Sequence, residues 1–484
     1  MRSLGRRTRA RDWTNCPMGA QGRTCDSLVA GNPRPAPGLR PMALTTANPS
    51  TDLPSTTAHQ HGSVSPGEIA IGVVIGRLSE MFDFFVFGIA SVLVFPSVFF
   101  PFVDAKTGTF YSFAIFSLAF VARPFGSTLF RIIHERYGRG AKLTIALFVL
   151  GTATAGIAFL PNYKTLGEAS IVLLALMRIA QGFGIAGSWD GLPSLLALNA
   201  PENRRGWFAM LPQLGGPIGF FIAAGLFAFL VSSLTPADFL DWGWRYPFAV
   251  AFAINVVALF ARLRLVVTPE FTALLQTREL EPSPIGELLR TQRASIALGA
   301  FAPLASFALF HVVTVFPLSW VTLLTTEKVS VVQCLSVQMF GALLCIVGML
   351  LSGQIADRIG RRATLALGAG LIALFSLIGL LPTFVNGSLI GALLFVLGGF
   401  VLLGFTHAQA AGAINSTFPS RYRYSGAIIT SDLAWLVGAA FAPLAALFIA
   451  SRFGVGYVGL YLLSGAVGTL MALGINRSLE MRDN

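Results

Sequence analysis

The sequence predicts an all-α polytopic membrane protein, with twelve transmembrane helices arranged as two pseudo-symmetric six-helix bundles. Three observations predict it. Of 484 residues, 54% are hydrophobic and only 12% are charged, against roughly 25% charged in a soluble domain. Apolar stretches long enough to span a bilayer, about 20 residues each, recur from Ile69 to Ile475. A basic loop motif after the second stretch returns after the eighth. These features exclude a soluble enzyme, a disordered protein and a disulfide scaffold, and the continuous rather than alternating runs exclude a β-barrel.

In chain order, residues 1–66 differ from the rest. They hold Arg2, Arg6, Arg7, Arg9 and Arg11, then Pro/Ser/Thr-rich text. No apolar h-region follows the arginines, so Arg6-Arg7 is not an export signal, and the segment is expected to be a disordered cytoplasmic tail. An organellar transit peptide, or a true start at Met18 or Met42, are the alternatives. Twelve spans follow at about 69–95, 109–132, 142–160, 168–190, 208–232, 244–266, 294–320, 333–355, 363–382, 387–412, 426–450 and 455–475. The first six form an N-terminal bundle over 67–266 and the last six a C-terminal bundle over 294–476, joined by a basic loop at 267–293 and ending in a tail at 477–484. The even-numbered loops and the C-terminal tail carry eighteen Lys and Arg, from Arg131 to Arg482, and the odd-numbered loops carry five. Because cytoplasmic loops are the cation-rich ones, both termini are predicted to be cytoplasmic, in a cell (inner or plasma) membrane.

The net charge of +12 does not point to nucleic acid, because the cations lie in short gaps between apolar runs and in the leader. Cys16, Cys25, Cys334 and Cys345 form no CxxC pair and read as reduced, structural cysteines. No catalytic motif, phosphate loop or metal cluster is present, so neither enzyme activity nor a cofactor or metal is expected. The lipid bilayer is the expected partner, and a monomer the expected working unit.

The repeat is explicit. Glu135-Arg136-Tyr137-Gly138-Arg139-Gly140-Ala141-Lys142 follows span 2, and Asp357-Arg358-Ile359-Gly360-Arg361-Arg362 follows span 8. Pro201-Glu-Asn-Arg204-Arg205-Gly206 after span 4 is echoed by Pro419-Ser-Arg421-Tyr-Arg423 after span 10. Parallel repeats of this kind are the sign of a transporter built from two like halves.

At these residues the chain resembles the major facilitator superfamily. With Glu80-Met-Phe-Asp83-Phe-Phe-Val-Phe-Gly88, Ala122-Arg123-Pro124-Phe125-Gly126, Arg178-Ile-Ala-Gln181-Gly182, Pro212-Gln213-Leu214-Gly215, Trp242-Gly-Trp-Arg245-Tyr-Pro247 and Arg262-Leu-Arg264, it is similar more narrowly to the metabolite:proton symporters. That family includes permeases for α-ketoglutarate, citrate, shikimate and proline/betaine. The resemblance covers about residues 68–475 and implies proton-coupled symport of a small organic acid or zwitterionic osmolyte by alternating access. The chain departs from the family pattern in five places: Arg131 replaces Gly, Glu135 replaces Asp, Ala186-Gly187-Ser188-Trp189-Asp190-Gly191 replaces Gly-Gly-Glu-Trp-Gly-Gly, Ser416 replaces Glu, and Asp432 replaces Asn.

Ionisable groups inside a membrane are costly and are kept for pathways or pairing. Arg77, Glu80 and Asp83 share one face of span 1. Arg77 and Glu80 are expected to pair, which leaves Asp83 to titrate and carry the proton. Arg178 has no acid nearby on its helix and must find Asp83, a substrate carboxylate, water or a neighbouring helix. Arg123 either pairs with Glu80 or anchors a kink at Pro124. Gln181, Asp190 and Asp432 complete the candidate pathway. His311 and His407 read as hydrogen-bonded core residues, and Trp189, Trp320 and Trp435 as packing or interfacial anchors. Glu135, Arg136, Gly138, Arg139, Asp357, Arg358, Gly360, Arg361 and Arg362 form a candidate cytoplasmic gate. An efflux antiporter of the same fold is the alternative reading, but Gly216-Pro217 is not followed by the Gly-Gly of such exporters. A non-transporting sensor would need a soluble signalling domain, and no gap between spans is long enough for one.

Overall fold

The computed structural model describes residues 66–188, 200–266, 283–325, 329–378, 389–415 and 418–482. Asp190 and Trp189, the leader up to residue 65 and linker residues 267–282 lie outside the described residues.

Helix α1, Pro66–Leu93, runs almost directly into a short turn at Phe95–Val98. Asp104 caps the next helix by accepting from the Thr107 amide, and the Thr107 hydrogen bonds hold its carboxyl below the usual carboxylate range. The run Ala105–Ala158 is two crossings, α2 (105–137) and α3 (139–158), broken only at Gly138, with φ 82° and ψ 175°. Then come α4, Glu168–Ser188, α5, Arg205–Ser233, and α6, Tyr246–Val266. In the second half α7, Arg293–Leu323, is interrupted near Pro303 and Val315. Helix α8, Val331–Ile359, starts in a Ser330–Gln333 capping box, which satisfies two of its free N–H groups. Gly360, at φ 86°, turns it sharply into α9, Arg361–Ile378. Helices α10, Leu389–Asn415, α11, Tyr424–Phe453, and α12, Val458–Arg482, complete the chain.

Ten helical stretches among the described residues are long and apolar enough to cross a membrane. One of them is the double crossing α2–α3, and α1 is long enough but carries Arg77, Glu80 and Asp83. Twelve crossings result, as the sequence predicts. Within the first half, α1 packs on α5 and α6 and α4 on the α2–α3 run; within the second, α8 packs on α10 and α9 on α12. The halves meet where α5 packs on α8 and α2 on α11. Phe148, Phe159, Phe229 and Phe260 face outward, at 63–82% exposure, as lipid-facing rings do.

Helices α2 and α4 approach closely because Gly182 has no side chain. A Cβ there would lie 2.3 Å from the Ala119 carbonyl oxygen. Such close approach lets dispersion and weak hydrogen bonds act where no hydrophobic force between helices exists. The variant Gly182→Ala should lose about 1–3 kcal/mol through overpacking against backbone that cannot yield. Thermal melting of the purified protein in detergent checks this, and an unchanged midpoint would count against the close contact.

Candidate transport pathway between the bundles

Charge is concentrated on the inner face of α1. Glu80 is 7% exposed and takes three donors: Arg77 Nη1 at 3.2 Å, Arg262 Nη2 at 2.8 Å and Ser188 Oγ at 2.9 Å. Arg262 also donates to the Ser188 carbonyl at 2.9 Å. The predicted Arg77–Glu80 pair is therefore one arm of a three-helix node joining α1, α4 and α6.

One turn further on, Asp83 is buried and meets only neutral donors. Asn255 Nδ2 lies 2.8 Å and Thr154 Oγ1 3.2 Å from its Oδ2, and its Oδ1 has no partner. Ser79 donates in turn to the Asn255 side-chain oxygen. Arg178 does not touch Asp83. Its Nε donates to the Phe116 carbonyl at 3.1 Å and its Nη1 to Gln181 Oε1 at 3.0 Å. Gln181 Nε2 then donates to Thr154 Oγ1 at 2.8 Å. A chain of neutral groups thus links the guanidinium to the carboxyl where direct contact was one expected option.

Arg123 does not pair with Glu80. It crosses between the bundles to Asp432, Nε to Oδ1 at 3.0 Å, with Ser127 donating to the other carboxylate oxygen. Glu80 on α1 is held instead by Arg77 and Arg262. Around this pair lies an aromatic cluster. Trp435 is 1% exposed, stacks near Phe84 and Phe120, and packs edge-on against Phe307 and Phe310. Arg77 and Arg123 lie over its ring at 5.7 and 5.8 Å. Trp435 is thus at the junction of the bundles rather than at a membrane interface.

The signature loops differ between the halves. Asp357 Oδ1 accepts from the Gly206 and Trp207 amides, at 2.7 and 3.2 Å, where α5 begins, so it ties the second bundle to the first. Its repeat counterpart Glu135 pairs with Arg131, one turn back on its own helix. Gly138 and Gly360 form the corners. Arg136 and Arg358 are exposed, Arg136 lying over the Tyr137 ring, and Arg362 reaches the Leu473 carbonyl at 3.4 Å. Arg139 and Arg361 are partly buried near the same face. Sequence reasoning missed Arg262, Asn255, Thr154 and Ser127. Asn255 carried a readable signal as a lone amide in the apolar run of α6. The others sit among helical Ser, Thr and loop-end Arg and carried none.

Two like helical bundles with buried charge at their junction define a multi-pass membrane transporter of the two-bundle type. The family model described as Major Facilitator Superfamily matches residues 82–431, and the chain belongs to that superfamily. It is 36% identical over 416 residues to the inner membrane metabolite transport protein YhjE of Escherichia coli K12, covering 84% of this chain and 93% of that one. It is 29% identical to the shikimate transporter of the same organism (86% and 94% covered) and 28% identical to its proline/betaine transporter (84% and 83%). Its relatives are transport proteins rather than enzymes. Among solved structures it is similar in fold to a D-xylose-proton symporter, with TM-score 0.64, 18% identity, and 84% and 96% of the two chains covered.

Asp432→Asn should destabilise the protein by about 3–5 kcal/mol, because it leaves Arg123 buried without its counter-charge. Adding Arg123→Met should recover most of that loss. A double-variant cycle on melting midpoints measures both effects, and additive losses would mean the pair is not coupled.

Proposed function

We propose that this chain takes up a small organic acid or zwitterionic osmolyte together with protons, by alternating access of a central site to the two sides of an inner membrane. The observation that carries the reading is Asp83. Glu80 and Asp432 each hold an arginine, whereas Asp83 is buried against Asn255 and Thr154 with one oxygen unpartnered. A carboxyl with neutral neighbours can gain and lose a proton without breaking an ion pair. The relatives transport shikimate and proline/betaine, and the fold neighbour is a sugar–proton symporter, which supports the same reading. On it, Arg77, Glu80, Arg178 and Gln181 line the path with Asp83. The Arg123–Asp432 pair and the Asp357 contact with α5 close the basic-loop end, with Glu135 and its loop cations beside them. That end and both termini are cytoplasmic by the cation distribution. One chain suffices, since its two bundles supply both walls.

In proteoliposomes, Asp83→Asn should abolish accumulation driven by an imposed pH gradient yet permit exchange of labelled substrate down its own gradient. Gradient-driven accumulation by that variant would move the proton to another acid. A panel of labelled carboxylates and betaines supplies the substrate. Asp357→Asn should act on access instead. It weakens a carboxylate cap on the start of α5, so transport should slow about tenfold while substrate affinity changes less than about threefold. Equal loss of both would count against the gate.

A further inference from the structure

We propose that Arg178 of the first bundle and His311 of the second are the two halves of a carboxylate seat, so that the transported solute is an anion rather than a betaine or a cation. This rests on the reading that a small organic solute crosses between the bundles.

Two buried polar groups have unmet hydrogen-bonding capacity at the same place. Arg178 is fully buried, and its Nη2 has no partner. No carboxylate pairs with it among the described residues. His311, on α7, is also fully buried, and neither ring nitrogen has a partner. Orphaned buried groups of this kind are costly, and a charged one more so. Both pack on one ring: the Arg178 Cζ lies 4.7 Å and the His311 ring 5.1 Å from the centre of Phe116. They are therefore separated by no more than those two lengths together, although they belong to opposite bundles. A ligand with two acceptor oxygens, taken up as the bundles part, can accept from the guanidinium on one side and the imidazole N–H on the other. A planar carboxylate fits the guanidinium fork best.

The surrounding charge selects the same class. The buried arginines of the described pathway are Arg123, Arg178 and Arg262, with Arg77 mostly buried beside them, and the buried acids are Glu80, Asp83 and Asp432. Cations are in surplus, and a proton on Asp83 enlarges the surplus. A quaternary ammonium would need open aromatic faces. Here arginines already lie over them: Arg77 and Arg123 over Trp435, and Arg178 over Phe84, Phe87 and Phe116 at 5.0, 4.1 and 4.7 Å. A carboxylate on Arg178 and a proton on Asp83 instead favour each other across the Gln181–Thr154 link, which gives the two ligands a reason to travel together.

The test is equilibrium binding to the full chain purified in detergent, with no pH gradient. The probes are shikimate, benzoate and α-ketoglutarate as anions, glycine betaine as a zwitterion and choline as a cation. At least one anion should bind tenfold or more tightly than betaine and choline. His311→Phe and Arg178→Gln should each weaken that anion at least tenfold, and His311→Gln, which keeps a donor, should stay within threefold. Melting of unliganded His311→Phe should hold or rise, because the variant removes two unmet polar atoms; this separates loss of the seat from misfolding. Binding of betaine or choline in preference to every anion, binding of none of the anions, or unchanged anion affinity in His311→Phe overturns the proposal. Anion binding with uptake indifferent to a pH gradient would sink the symport reading and leave the seat standing.

Discussion

A charge inside a bilayer must be paired, hydrogen-bonded or neutralised, and the arrangement of this protein follows from how its few embedded charges meet that demand. Glu80 is the clearest case. It takes Arg77 from its own helix, Arg262 from α6 and the Ser188 hydroxyl from α4, so one carboxylate draws three helices of the first bundle together. With Glu80 satisfied, Arg123 turns to Asp432 and thereby joins the bundles. With both acids occupied, Asp83 and Arg178 are left without ionic partners. The reactive positions are those the pairing leaves over.

The same accounting shows that the two halves, alike in outline, differ in chemistry. Among the described residues the first bundle holds the embedded arginines and two of the three embedded acids, whereas the second contributes Asp432, His311, His407 and the aromatic wall around Trp435. The first half thus carries most of the embedded charge, while both halves contribute rings and neutral polar groups to the junction.

Much of this was legible in the sequence. Span positions follow from apolar length, and the corner motifs at Gly138 and Gly360 mark where consecutive crossings meet without a loop. The importance of Arg77, Glu80, Asp83 and Arg178 follows from the cost of burying them. Their partners were not legible, because partners lie on other helices and helix rotation is set by packing. From sequence alone Arg123 is matched to Glu80 on α1 or to a kink at Pro124; in the structure it holds Asp432 on α11, and Glu80 is held by Arg77 and Arg262. Arg262 itself reads as one more cation near a basic loop. Trp435 reads as a packing residue or an interfacial anchor; which of the two it is, at the bundle junction, depends on how α11 is turned.

Gly138 and Gly360 hold nearly the same backbone angles, with φ of 82° and 86°, at equivalent places in the two motifs. Neither corner needs to match the other for the protein to work, since each turns its own pair of helices. Their agreement is the internal repeat of the sequence expressed in backbone geometry. A doubled protein has a freedom that a single half lacks: one copy can lose a contact the other still supplies. Asp357 makes the clasp between halves whereas Glu135 pairs with Arg131 on its own helix, so the twofold likeness holds in the backbone and not in the side chains.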